Sequence, residues 1–348
     1  RPWQDALLGR PVRVYRHPMP TAAASENRAK GESLTLGQSS IGRQVVTKDS
    51  AQAPQPIPPI VFCLHDTTGH YWVQTAVAMA SVAQHARGQC HFHVLHDDTL
   101  VPQAVQRMQA LSEQLNFRLD WRAVQLPPSV LSARLRRFGP GSLFRLMIPQ
   151  LFRQEEQVIY LDSDLVCNGL NLAELAIGVP ALATVAAVHD PFIAVPARHR
   201  QALQSLGLSS EQYFNSGVML WRPKLIEEDL IEAFDQFIAH FPDALHPDQD
   251  FLNRHFGARA GVLDARFNTQ AGLLQASLLQ PVAHYQGKIV HFAGKLKPMD
   301  GSLSPGVLPF WMHAAWVPEV AACVGHAHYL YPVINKPNML QRSKLQPV

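Results

Sequence analysis

The chain has 348 residues, 47% apolar and 16% charged, with a formal net charge of +3 and 17 histidines counted neutral. That is ample for one large α/β domain or two modest ones, and the positive balance is too mild for a nucleic-acid binder. The four cysteines (Cys63, Cys90, Cys167, Cys323) are far apart, which argues against a zinc knuckle or disulfide scaffold and for a reducing, cytoplasmic setting, and no apolar run nears the roughly 20 residues of a membrane span.

Residues 1–56 read as a partly irregular N-terminal extension. Arg1 to Met19 is basic and aromatic, Thr21 to Ser50 is rich in Ala, Ser, Gly and Gln, and Ala53 to Pro59 is a stiff extended linker. The chain opens on Arg1 rather than Met, which leaves room for residues upstream, and no secretory leader is expected in it. From residue 57 to 300 the pattern becomes α/β. Ile60–Leu64 is a short buried strand, Val73–Ala86 a helix with small residues facing a sheet, and His91–Leu95 a second strand. Val101–Asn116 is helical, Phe117–Val124 alternates as a strand, and Ser142–Phe152 is helical with Pro149 near its end. Val158–Leu161 is an apolar strand, Leu182–Val188 another that ends in His189-Asp190, and Gly217–Trp221 a further one. Lys224–His240 is an amphipathic helix, Asp248–Phe256 a short helix, and Ile289–Phe292 a late strand. Strands alternating with helices predict a mostly parallel, Rossmann-like sheet covered on both faces. Residues 301–348 read as a C-terminal segment packed on or flanking that domain.

Four stretches carry chemistry. The strand Val158–Leu161 ends in Asp162-Ser163-Asp164, two carboxylates one residue apart. Ligands of open α/β sheets bind beyond the carboxyl ends of strands, and two acids there repel unless a cation sits between them. A divalent metal holding a phosphate answers that requirement; a solvated turn is the plainer reading. Next, Tyr213 to Leu220 places Asn215, Ser216 and Gly217 just before a strand, where an amide suits sugar hydroxyls. In His246-Pro247-Asp248-Gln249-Asp250, either Asp could accept from a sugar hydroxyl and Gln249 could face a reacting carbon, although an N-capped helix accounts for the same residues. Finally, His291 at a strand end can give a metal a nitrogen ligand, Gly294 permits close backbone approach, and Lys297 is a point charge for phosphate.

In this order and spacing the four stretches resemble the family 8 retaining glycosyltransferases, over roughly Pro59 to Pro298, with bacterial lipopolysaccharide galactosyl- and glucosyltransferases nearest. The resemblance implies a metal-dependent GT-A fold, a single catalytic domain around a UDP-sugar. It implies Mn²⁺, with Mg²⁺ the alternative, on Asp162, Asp164 and His291, and Ser163, Gly294 and Lys297 at the donor. It further implies Arg145 reaching the donor, Asn215, Asp248 and Gln249 at the sugar and the reaction centre, and Asp190 on the acceptor side. The family's first strand ends in Asp-Asp-Asn-Tyr; here it runs His65-Asp66-Thr67-Thr68-Gly69-His70-Tyr71, a longer loop whose Asp66 and Tyr71 take the base-binding places. Met299 replaces a frequent Trp. The C-terminal stretch has few Lys or Arg, so any peripheral membrane contact is expected from the basic N-terminal extension. The expected reaction moves galactose or glucose from UDP to a saccharide or glycolipid acceptor. The Asp-x-Asp-x-Val pattern also resembles haloacid-dehalogenase phosphatases, but there it sits on the first strand, and here about four elements precede it. A non-catalytic UDP-sugar-binding module is the third reading.

Overall fold

A strand can be apolar on both faces only where both faces are covered. The computed structural model, which describes residues 56–130, 139–271, 279–294, 297–300 and 305–323, meets that condition at β1 (Ile60–Leu64). Ile60, Phe62 and Leu64 enter the core on one face of a sheet, Val61 and Cys63 the core on the other. The N-terminal extension but for residue 56, and the C-terminal segment at 301–304 and beyond 323, lie outside the described residues.

After β1 the chain forms α1 (Tyr71–His85), β2 (His91–His96), α2 (Pro102–Leu115) and β3 (Arg118–Ala123). A 3₁₀ segment, Pro140–Met147, leads into the one-turn α3 (Ile148–Leu151), followed by β4 (Val158–Leu161), β5 (Leu165–Asn168), β6 (Val185–His189) and α4 (Ala197–Ser205). Then come β7 (Phe214–Trp221), α5 (Leu230–His240), α6 (Pro247–Phe256), β8 (Ala260–Val262), β9 (Thr269–Gln270), β10 (Lys288–His291), α7 (Leu308–Ala314) and α8 (Val320–Cys323). Seven strands make the main sheet in the order β3-β2-β1-β4-β7-β6-β8, all parallel in direction except the reversed β7. A small sheet, β5-β10-β9, stands beside it. α1, α2, α7 and the small sheet cover one face of the main sheet; the 3₁₀ segment, α3, α5 and α6 cover the other.

Local chemistry explains most of these elements. α1 is buried along its length because small residues (Ala76, Ala78, Ala80) let it lie between the two sheets. α2 starts on Pro102, buries Ala104, Met108 and Leu111 at helical spacing, and ends on Asn116 in the left-handed conformation (φ 53°). The four cysteines are buried and unpaired, and burial pushes the Cys90 and Cys167 thiols up to about 12. No helix of the described residues is long and apolar enough to cross a membrane.

The structure corrects four expectations. Ser142–Phe152 is not one α-helix: Pro149 has no N–H to bond the Arg145 carbonyl, and the chain upstream tightens into a 3₁₀ run. The helix expected from Lys224 begins at Leu230, because Asp229 caps it with bonds from Ile231 N (2.9 Å) and Glu232 N (3.2 Å). β6 starts at Val185 rather than Leu182, which is 88% exposed. Asn215, Ser216 and Gly217 lie inside β7, not before it: pairing with β6 jumps from Ala187↔Met219 to Val188↔Asn215, so β7 bulges between them.

Candidate active site

The Asp162-Ser163-Asp164 turn joins the two sheets. β4 ends at Leu161, and β5 begins at Leu165. Backbone bonds hold the turn on both sides, from Asp162 N to the Gly217 carbonyl (2.8 Å) and from Phe292 N to the Asp164 carbonyl (2.8 Å). β10 runs antiparallel to β5 with His291 opposite Leu165, which delivers the imidazole to the acidic pair. His291 Nε2 lies 3.2 Å from Oδ1 of Asp164 and 3.6 Å from Oδ2 of Asp162. One atom from each of the three side chains falls within 4.8 Å of the others.

The tautomer of His291 follows from a chain of bonds that starts at the backbone. Gly217 N–H can only donate, and it donates to Oδ1 of Asn215 (2.9 Å). That oxygen also accepts from Nδ2 of Asn268 (2.8 Å), which leaves Oδ1 of Asn268 to accept from Nδ1–H of His291 (2.9 Å). The Nε2 lone pair then faces two carboxylates, an arrangement that calls for a cation between them. The donor set, two carboxylates and one imidazole with an outer amide fixing the ring, fits a divalent metal such as Mn²⁺. Gly217 makes the close approach possible, since a Cβ there would sit 2.2 Å from Cε1 of His291.

Two buried cations neutralise the acids. Lys297 donates from Nζ to Oδ2 of Asp164 and to the Phe292 carbonyl (2.7 Å). Burial alone would push the Asp164 carboxyl up, but the Lys297 ammonium, the strongest opposing charge, acts against it and the group is held well below the usual carboxylate range. Arg145, from the 3₁₀ segment, donates to Oδ1 of Asp162 (2.9 Å), to the Ser216 carbonyl (2.8 Å) and hydroxyl (3.0 Å), and to the Ser142 carbonyl (2.8 Å). Its guanidinium stacks 4.4 Å over the Tyr160 ring, whose hydroxyl also donates to Asp162.

Beside this triad lies a second network. Gln249, in the first turn of α6, accepts at Oε1 from Ser216 N (3.0 Å) and Oγ (3.3 Å), and donates from Nε2 to Oδ2 of Asp190 (3.3 Å). Asp190 also accepts from Asn215 Nδ2 (3.4 Å) and Phe192 N (3.0 Å). Asp248 lies 3.7 Å from Arg145 Nη2. Asp250 is engaged within the fold: its oxygens accept from the Tyr213 hydroxyl (2.6 Å) and His246 N (3.0 Å), which anchors the start of α6.

The remaining expected residues stand around this centre. Ser163 Oγ accepts from Thr75 Oγ1 (2.8 Å) on α1. Asp66 accepts from Thr68 N, His70 N and Trp72 N and thereby holds the loop that starts α1, where Tyr71 is the first residue. Gly294 takes φ 89°, the left-handed region that glycine tolerates. Sequence reasoning assigned nothing to Asn268, Tyr160 or Tyr213. Asn268 follows a turn capped by Asp264 and reads as part of it; only the three-dimensional bond chain exposes its role.

The family model described as glycosyl transferase family 8 matches residues 59–299. A lipopolysaccharide 1,3-galactosyltransferase of Salmonella typhimurium is 28% identical over 232 residues, covering 60% of this chain and 63% of that protein. The lipopolysaccharide glucosyltransferase WaaO of Escherichia coli is 28% identical over 171 residues, covering 44% of this chain and 48% of that protein. The chain thus spans less than two thirds of the length of these relatives. Among solved structures, the galactosyltransferase LgtC in complex with donor and acceptor sugar analogues matches with a TM-score of 0.62 at 21% identity, over 74% of this chain and 96% of that one. That likeness is one of fold, and the fold is GT-A.

Proposed function

The chain belongs to glycosyl transferase family 8, and from that premise we propose that it moves a hexose from a UDP-sugar to a saccharide or glycolipid acceptor with retention at the anomeric carbon. The relatives' names favour galactose or glucose as the hexose and lipopolysaccharide as the acceptor class. The observation that carries the proposal is the convergence of Asp162, Asp164 and His291 within 4.8 Å, beside the Gln249–Asp190 pair. When bound there, Mn²⁺ would supply a Lewis acid that neutralises the diphosphate.

The chain's own residues do the rest. Asn268 holds the His291 ring with Nε2 toward the acids, Lys297 keeps the Asp164 carboxylate ionised, and Arg145 bonds Asp162. Gln249 is a poor nucleophile, because it is a neutral amide whose oxygen already accepts two bonds from Ser216. This favours attack on the face that the leaving group occupies. The acceptor oxygen bonds to the anomeric carbon while the carbon–oxygen bond to phosphate breaks, and the acceptor proton passes to the departing phosphate oxygen. Asp190, bonded to both Gln249 and Asn215, orients the amides that line the transferred sugar. Asp66 and Tyr71 are assigned to the uracil side, and peripheral membrane contact to the basic N-terminal residues.

A panel of UDP-sugars with Mn²⁺, followed by NMR with and without a saccharide acceptor, tests this. The expected result is selective consumption of one UDP-hexose and an α-linked product. UDP binding without turnover would instead indicate a binding module. Hydrolysis of generic phosphate esters with Mg²⁺ and no response to UDP would indicate a phosphatase.

A further inference from the structure

A second cluster with metal-ligand chemistry lies at the other end of the main sheet, away from the carboxyl ends where the acidic turn sits. His91 and His93 are two apart on β2 and therefore share a face, and Asp120 on the edge strand β3 is paired in register with His93. Their ligand atoms all lie within 4.8 Å of one another. His91 Nε2 is 2.7 Å from Oδ2 of Asp120, His93 Nδ1 is 3.7 Å from that oxygen, and the two rings are 4.0 Å apart.

A hydrogen-bonded His–Asp pair explains only part of this. The His93 side chain is 4% exposed, and its Nδ1 is buried without a hydrogen-bond partner, directed at an oxygen too distant to bond. An unsatisfied buried nitrogen is costly, and no single proton can serve all three groups. A tetrahedral Zn²⁺ with ligands near 2.0–2.1 Å spaces its donors about 3.3 Å apart, between the two observed separations. The Asp120 and His91 side chains are 46% and 27% exposed, so water can reach a fourth position. Two arginines flank Asp120 on β3: Arg118, paired in register with His91, and Arg122, which is engaged by the Leu151 carbonyl (2.8 Å) and the Phe152 ring (4.3 Å).

We infer that His91, His93 and Asp120 form a second metal site, for Zn²⁺ or a divalent cation of its class, which ties the edge strand β3 to β2. Two imidazoles and one carboxylate suit Zn²⁺ better than Mg²⁺ or Ca²⁺, which prefer all-oxygen shells. The site uses no residue of the catalytic triad and stands whether or not the chain transfers sugars.

The test is Zn²⁺ binding by the full chain, measured by calorimetry and by metal content after dialysis, for the wild type, His91→Ala and Asp120→Asn. Both substitutions fall at partly exposed positions, which keeps the test independent of any folding defect in His93→Ala. The expected result is one fewer Zn²⁺ equivalent in each variant, or a loss of affinity beyond the roughly 100-fold that an outer-shell partner costs at most. Zn²⁺ should also raise the melting temperature of the wild type more than that of His91→Ala. Equal stoichiometry and affinity in all three chains, or no uptake by the wild type, would overturn the inference.

Discussion

Gly217 is the most constrained position in the active site. An added methyl would lie 2.2 Å from the His291 ring and 2.7 Å from Oδ2 of Asp162, and neither can retreat without leaving the triad. Gly217→Ala is expected to cost about 1–3 kcal/mol of stability, read by urea titration, and to lower kcat/KM roughly 100-fold. Asn268→Ala removes the acceptor that fixes the His291 tautomer, so Mn²⁺ affinity measured by calorimetry should fall about 10–100-fold. The two residues also mark what a sequence reveals at this scale. The acidic pair, His291 and Lys297 stand out by their position after strands, because chemistry at a strand end has few other uses. Asn268 has no such mark, and Gly217 passes for an ordinary turn glycine, since its constraint comes from a ring 74 residues away in sequence.

Among the elements, the continuous apolar strands and the helices with regular spacing were legible because their period is local. The direction of β7 was not, since the same residues could pair either way, and only its antiparallel pairing with β4 and β6 in the folded chain shows it reversed. The 3₁₀ segment reads as α from sequence because its apolar spacing suits either helix, and the effect of Pro149 falls upstream of the proline. Asp229 carries the local signal for the helix start: an acid with Glu232 three residues on is the pattern of a capped N-terminus. Asp229→Ala is therefore expected to destabilise the chain by about 1 kcal/mol, measured by denaturant unfolding, with UDP affinity unchanged.

For the molecule as a whole, two buried rings set the acid limit. Burial, followed by the cationic groups nearby, holds His93 down to about 4, and burial with His85 does the same for His313. Unfolded histidine titrates near 6.5. Between these values the unfolded chain binds protons that the folded chain refuses, so stability falls as pH drops from about 6.5 to about 4. Solvent screening limits each ring to about 1–2 kcal/mol. Asp164 acts in the same sense lower down: its depressed carboxyl stabilises the fold above its unfolded value of 3.8 and ceases to as the acid form is reached. Chemical unfolding at metal-free pH 7 and pH 5 should show the loss, and His313→Phe should make the profile shallower.

The triad is divided between two bodies of backbone: Asp162 hangs from the last residue of β4, while Asp164 and His291 ride on β5 and β10. A cation clasped there works as a rivet across the seam, and it resists opening of the small sheet without touching the far strands. Amide hydrogen exchange should report this directly, slowing in β5 and β10 when Mn²⁺ and UDP are supplied together while the rates in β8, which carries no ligand of either cluster, stay as they were.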